Sequence, residues 1–194
     1  FAHVPMVLGK DKTRLSKRHG AMSVTEYKRM GFLPDAFINY LVRLGWSYGD
    51  QEFFTRKELV EKFNLENIGK SAGVFDPEKL TALNADHIKA TPPVELIPHL
   101  KPFLQERGVK TDDTDYLVKV ILTLNARSKT LVEMAKAATF YYQGVTAYDE
   151  AAAKKIFTPE AALPMQQLIQ ALQALDDFSE KALEEAFLKV METT

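Results

Sequence analysis

The side chains best suited to chemistry lie together near the start of the chain, in Arg14-Leu15-Ser16-Lys17-Arg18-His19-Gly20. Between Lys10 and Arg18, five cationic side chains stand against the single acid Asp11. Such a stretch suits a polyanion. Lys17 offers a compact point charge, Arg14 and Arg18 offer forked donors, and the Ser16 hydroxyl can meet the same phosphate group as its neighbour Lys17. A solvated basic turn would carry the same charge. A nucleophilic Ser16 with His19 as its base fits the spacing, but nothing in the sequence supplies an oxyanion hole or an orienting acid. The remaining histidines, His3, His87 and His99, are too scattered to suggest a metal site. With no cysteine in the chain there is no closed zinc set and no disulfide. Paired acids such as Asp176-Asp177 and Glu184-Glu185 fit polar helix faces or caps. Of Tyr141 and Tyr142, one is expected to point into a core rather than toward RNA bases.

The elements that must position the basic stretch are almost all helical. The chain has 194 residues, 46% hydrophobic and 26% charged, an ordinary globular composition with length for one or two cores. No apolar run approaches the roughly 20 residues of a membrane span, and a reducing, cytoplasmic setting is expected. His3–Leu8 reads as a short strand leading into the Gly9–Thr13 turn. Ser23 and Glu26 fit a capping box, as do Thr55 and Glu58. Pro34 opens a helix whose apolar face is expected at Phe37, Leu41 and Leu44, with Trp46 as a lid on its core. Asp76 caps a helix with Pro77 in its first position. Thr91-Pro92-Pro93 is the expected linker. Helices follow over Val94–Arg107, Tyr116–Leu124 and the stripe Met134, Ala138, Tyr141, Tyr142. After Asp149, three more helices, one with Leu168, Leu172 and Leu175 and another with Leu183, Phe187 and Val190, are expected to form a small bundle. The formal net charge is −1, yet residues 1–43 hold eight Lys or Arg against three acids, and residues 149–194 hold four against nine. That asymmetry argues for localised phosphate contacts at the N-terminal end and against a generally sticky nucleic-acid binder.

Arg14-Leu15-Ser16-Lys17-Arg18 resembles the signature loop of class I aminoacyl-tRNA synthetases, in the form carried by bacterial-type glutamyl-tRNA synthetases. His3–Gly9 is similar to the strand before that loop. Ala36–Ser47 is similar to the family's helix and Leu-Gly-Trp-Ser corner, Ser71–Asn84 to its stem-contact domain, and Arg127–Leu131 to its Arg-x-Lys-Thr-Leu turn. One departure falls at Ala82, where many members have Trp. The resemblance implies that Lys17 is catalytic, steadying the ATP phosphates as the carboxylate of glutamate attacks. It further implies that Arg14, Ser16 and Arg18 bind ATP beside it, and that Lys79, Asn84, Arg127 and Lys129 lie on the tRNA-facing side.

The same resemblance implies a mainly α fold in three parts: a signature loop and stem-contact domain over 1–91, a first helical anticodon-arm subdomain over 92–147, and the start of a second anticodon-binding subdomain over 148–194. It implies a ligase using ATP and magnesium, with neither held tightly by this chain alone. The expected partners are a glutamate-accepting tRNA, ATP, and glutamate bound through a domain preceding Phe1, in a monomeric parent. The chain is thus expected to be a piece of a longer enzyme and inactive by itself. The rival readings are part of a glutaminyl-tRNA synthetase, disfavoured because everything after Pro93 reads as helix, and a stand-alone helical RNA-binding or protein-docking module.

Overall fold

The computed structural model describes residues 4–16 and 23–193, so His3, Lys17, Arg18 and His19 lie outside the described residues. The described chain is mainly helical, as expected, and divides into two compact units, Phe1–Gly144 and Val145–Thr194.

In the first unit the helices are α1 (Val24–Arg29), α2 (Pro34–Arg43), α3 (Arg56–Lys62), α4 (Pro77–Ala90), α5 (Pro93–Glu106), α6 (Thr114–Leu124) and α7 (Leu131–Tyr142). Helix α2 is the hub, because each of its faces enters a different core. Ala36 joins the cluster of α4 to α7, which includes Ile88, Leu96, Leu100, Leu117, Ile121 and Met134. Phe37, Tyr40 and Leu44 pack with Tyr27, Phe32, Phe75 and Leu80, where the Tyr40 and Phe75 rings meet edge to face at 5.4 Å. Ile38 and Val42 pack on Trp46, Phe54 and Leu59. Trp46 is therefore core, as expected, with its ring 5.6 Å from that of Phe54. The expected stripe needs correction at Leu41, which is 45% exposed. Three cores around one helix distribute its apolar residues over several directions, so a single-stripe reading cannot describe it.

Capping follows the sequence in part. Thr55 and Glu58 form the full reciprocal box at α3, and Asp76 caps α4 ahead of Pro77. Ser23 makes no cap bond. Its hydroxyl pairs with Thr25, and Glu26 is drawn to Arg29. The segment over Val4–Leu8 is not a strand but a chain with isolated bridges from Leu8 to Arg14 and to Val74.

Pro92 and Pro93 do open α5, yet the residues on either side share one core: Leu33, Ala36 and Ile88 pack with Leu96 and Leu100. Pro98 and Pro102 sit inside α5 on its exposed side, each removing one amide donor from the helix ladder. Tyr141 and Tyr142 are both half-buried, so the pair does not split into one inward and one outward ring.

The second unit holds α8 (Glu150–Ile156), α9 (Pro159–Gln173) and α10 (Glu180–Thr193). Helices α9 and α10 pack as a hairpin, with Leu168, Leu172, Leu175, Leu183 and Val190 half-buried between polar faces and Ala186 buried. The expected three-helix bundle is replaced by this pair. Helix α8 is seven residues long and buries none of them, because Ala151–Ala153 supply propensity without apolar reach.

Candidate functional site

The basic stretch rises from a tight turn. The Gly9 N–H donates to the Thr13 carbonyl at 2.9 Å and the Lys12 N–H to the Gly9 carbonyl at 2.9 Å. The Asp11 carboxylate accepts from the Thr13 N–H at 3.0 Å and from its hydroxyl at 2.8 Å. Beyond the turn, the Leu15 N–H donates to the Val7 carbonyl at 2.9 Å, and the Leu15 side chain packs into the aromatic core. With Leu15 held inward, Arg14 is exposed and Ser16 half-buried at the base of the loop.

A second anchor ties this turn to the start of α4. The Lys10 ammonium lies 3.2 Å from Asp76 Oδ1 and 3.3 Å from Glu78 Oε1, contacts that raise its pKa. Burial pushes the Asp76 carboxyl up, but the Glu78 N–H and the Lys10 charge outweigh it, and the net shift is downward. The Asp76 N–H donates to the Tyr40 hydroxyl at 2.6 Å, while that hydroxyl lies 3.0 Å from the Asp76 carbonyl. Burial raises the Tyr40 pKa, so the phenol stays neutral and keeps its proton to donate. The Leu8 N–H bonds to the Gly73 carbonyl at 2.8 Å. A Cβ on Gly73 would stand 2.0 Å from the Leu44 carbonyl oxygen, so only glycine permits this approach. The sequence gives no sign of the Lys10 tether, since its Glu78 partner lies 68 positions away.

Beside this anchor is a cavity of about 300 Å³ whose lining includes Tyr40, Arg43, Glu52, Lys79, Ala82 and Asp86. Arg43 and Glu52 are 3.6 Å apart at its edge. Ala82, the position where the resemblance departs, borders this space with a methyl group alone.

Of the other expected contact residues, Lys79 is exposed in the first turn of α4, and Arg127 and Lys129 are exposed in the turn between α6 and α7. Asn84 is corrected. It is 0% exposed; its Oδ1 accepts from the Leu33 N–H at 2.8 Å and its Nδ2 donates to the Lys129 carbonyl at 2.6 Å. An amide with both ends used inside the protein does not reach a ligand. His87 is also buried, with Nε2 3.1 Å from Asn39 Oδ1, whereas His99 is exposed. Among the described residues no group of His, Cys, Asp or Glu could hold a metal ion. The arrangement is suited to electrostatic contact with phosphate groups at separate exposed cations.

Residues 1–82 match the family model for class I tRNA synthetases (E and Q), catalytic domain, and residues 95–194 match the anticodon-binding domain. The basic loop and helical array are thus parts of a class I tRNA synthetase. The chain belongs to this family through the anticodon-binding domain, which takes up just over half of its length, and its first 82 residues carry the glutamate and glutamine (E and Q) catalytic-domain match.

Over its whole length it is 59% identical to the glutamate–tRNA ligase of Desulfosudis oleivorans, of which it covers 42%. It is 56% identical to that of Geobacter sulfurreducens over 187 residues, 96% of this chain and 40% of that protein. The crystal structure of a glutamate tRNA ligase from Elizabethkingia meningosepticum, in complex with its amino acid, superimposes with a TM-score of 0.84 at 27% identity, covering 100% of this chain and 42% of that one. The chain therefore spans about two fifths of the length of these relatives.

Proposed function

We propose that this chain works as part of a glutamate–tRNA ligase, the enzyme that activates glutamate with ATP and transfers it to the tRNA 3′ end. The observation carrying this reading is the 59% identity, sustained over the entire chain, to a protein of that name. The alternatives, a glutaminyl enzyme or a stand-alone module, draw no support from the relatives. In this reading the cytoplasm is its compartment, and the parent is a monomer. No described helix is long and apolar enough to cross a membrane.

Lys17 carries the chemistry, placing its ammonium where charge builds on the ATP phosphates during attack by the glutamate carboxylate. Arg14, Ser16 and Arg18 bind the same nucleotide. The anchored turn at Gly9–Thr13 and the Lys10 tether give that loop a fixed base. Magnesium accompanies ATP in this class; the described residues give it no cage of their own, so it would arrive with the triphosphate. Lys79, Arg127 and Lys129 contact tRNA phosphates. The functional division into 1–91, 92–147 and 148–194 belongs to this proposal.

The test is a titration of the chain with glutamate-accepting tRNA at several salt concentrations. Binding is expected in the range of roughly 10⁻⁴ to 10⁻⁶ M at physiological salt, weakening steadily as salt rises. Affinity indifferent to salt would favour an apolar docking module instead.

A further inference from the structure

Three backbone segments meet around Asn84. Its carbonyl oxygen takes the Leu33 N–H and its amide nitrogen gives a hydrogen to the Lys129 carbonyl. Alongside, the Leu131 N–H donates to the Gly31 carbonyl at 2.9 Å. Gly31 has φ +82°, and a Cβ there would meet the Val132 nitrogen at 2.6 Å and the Leu131 nitrogen at 2.8 Å, so the close approach of the two turns requires glycine. The Arg127–Lys129 turn is held from its own side as well. The Ser128 hydroxyl donates to the Leu124 carbonyl at 2.9 Å, and the Glu133 carboxylate accepts the Lys129 N–H at 2.8 Å. Across the junction, Asn84 ties the turn to α4 by hydrogen bonds to both the 31–33 segment and the 129–131 segment, and among the described residues it is the one side chain to do so.

The cations on the turn share one chemistry with a cation of α4. Arg127 and Lys129 lie on the turn that Asn84 holds, while Lys79 lies five residues before Asn84 on another face of α4, beside Tyr40 and Arg43. All three are exposed, and none has an ion pair among the described residues. Phosphates of one RNA are spaced by the RNA itself, so separate cations gain from being held at a fixed distance before contact.

We propose that Asn84 is a positioning residue for RNA binding: it fixes the Arg127–Lys129 turn against α4, so that the two cations of the turn meet a phosphate backbone in a set register. This rests on the tRNA-binding reading above. It assigns Asn84 a task distinct from the direct contact first expected of it.

The experiment measures the dependence of log K on log salt for glutamate-accepting tRNA and the 194-residue chain. Removing both cations, Arg127→Ala with Lys129→Ala, should lower the steepness by about 1 to 2, the share of two phosphate contacts. Asn84→Ala should lower it by a similar amount, and combining it with the cation pair should add little more, because the turn can no longer be placed. Lys79→Ala should remain additive with Asn84→Ala.

Gly31→Ala is the second variant, displacing the same turn through its Cβ while leaving Asn84 intact, and it should reproduce the Asn84→Ala slope. Helicity and melting of each variant are followed, and titrations are made well below the melting midpoint. A slope lowered by the cation pair but untouched by Asn84→Ala or Gly31→Ala overturns the latch, as does full additivity between Asn84→Ala and the cation pair. A slope unmoved by the cation pair overturns instead the reading of the turn as an RNA contact.

Discussion

At the scale of single residues, the interior of the first unit depends on a few amides placed where apolar packing leaves backbone groups unpaired. Asn39 is 0% exposed: its Oδ1 accepts from the Phe54 N–H at 2.8 Å, its Nδ2 donates to the Glu52 carbonyl at 3.0 Å, and His87 Nε2 approaches the same Oδ1. Asn39→Ala should cost about 1 to 3 kcal/mol for each group it orphans. His87 makes this knot sensitive to pH. Burial lowers its pKa below 6.5, against the opposing charges of Asp35 and Asp86. A histidine kept neutral by the fold takes up its proton more readily once unfolded, so its contribution to stability is full above about pH 6.5 and declines as the pH falls below that value. Urea midpoints at pH 7.5 and 5.5 should separate for the native sequence, and the separation should shrink in His87→Gln. An unchanged separation in that variant would place the pH dependence elsewhere.

At the scale of elements, the caps show which local patterns become structure. The Thr55–Glu58 box at α3 forms fully, and the Thr55 N–H and hydroxyl, with Lys62, hold the Glu58 carboxyl down to about 2. A carboxyl lowered in the fold stabilises above its unfolded value, here 4.5, and that contribution is lost as the pH falls from about 4.5 toward 2. Thr55→Ala should cost about 1 kcal/mol at neutral pH and flatten the acid limb of a stability profile, a result readable from urea midpoints at pH 6 and pH 3. The caps at Thr55 and Asp76 and the opening of α5 at Pro93 were legible because each depends on neighbours within a turn or two. Trp46 was legible from its residue type, although its partners Phe54 and Leu59 are distant in sequence. Phe187, expected on the α10 stripe, is 46% exposed. Leu41, Asn84 and the Lys10 tether were not legible. Their surroundings come from segments far away in sequence, and periodicity on one helix cannot report three cores converging on it. The Ser23 box shows the reverse limit, since a correct local pattern lost to the competing Glu26–Arg29 pair. Of the candidate site, the basic loop's composition and the exposed positions of Lys79, Arg127 and Lys129 could be read in advance, while the anchor at Asp76 and Tyr40 required the fold.

At the scale of the whole molecule, two compact units carry different burdens. The first builds its cores from α2 and the α4–α7 array and fixes the base of the basic loop. The second is a hairpin with half-buried leucines. In the proposed function the basic loop serves ATP while the helices serve tRNA. Its most direct test is Lys17→Ala in a full-length glutamate–tRNA ligase containing this chain, with glutamate-dependent ATP–pyrophosphate exchange, run in the presence of tRNA, and tRNA affinity measured on the same preparation. Because an interaction made mainly in the transition state affects rate more than binding, exchange should fall on the order of 10² to 10³ fold, with tRNA affinity nearly unchanged and only partial rescue by Lys17→Arg. Collapse of tRNA binding with exchange preserved would contradict the claim and make the loop an RNA contact.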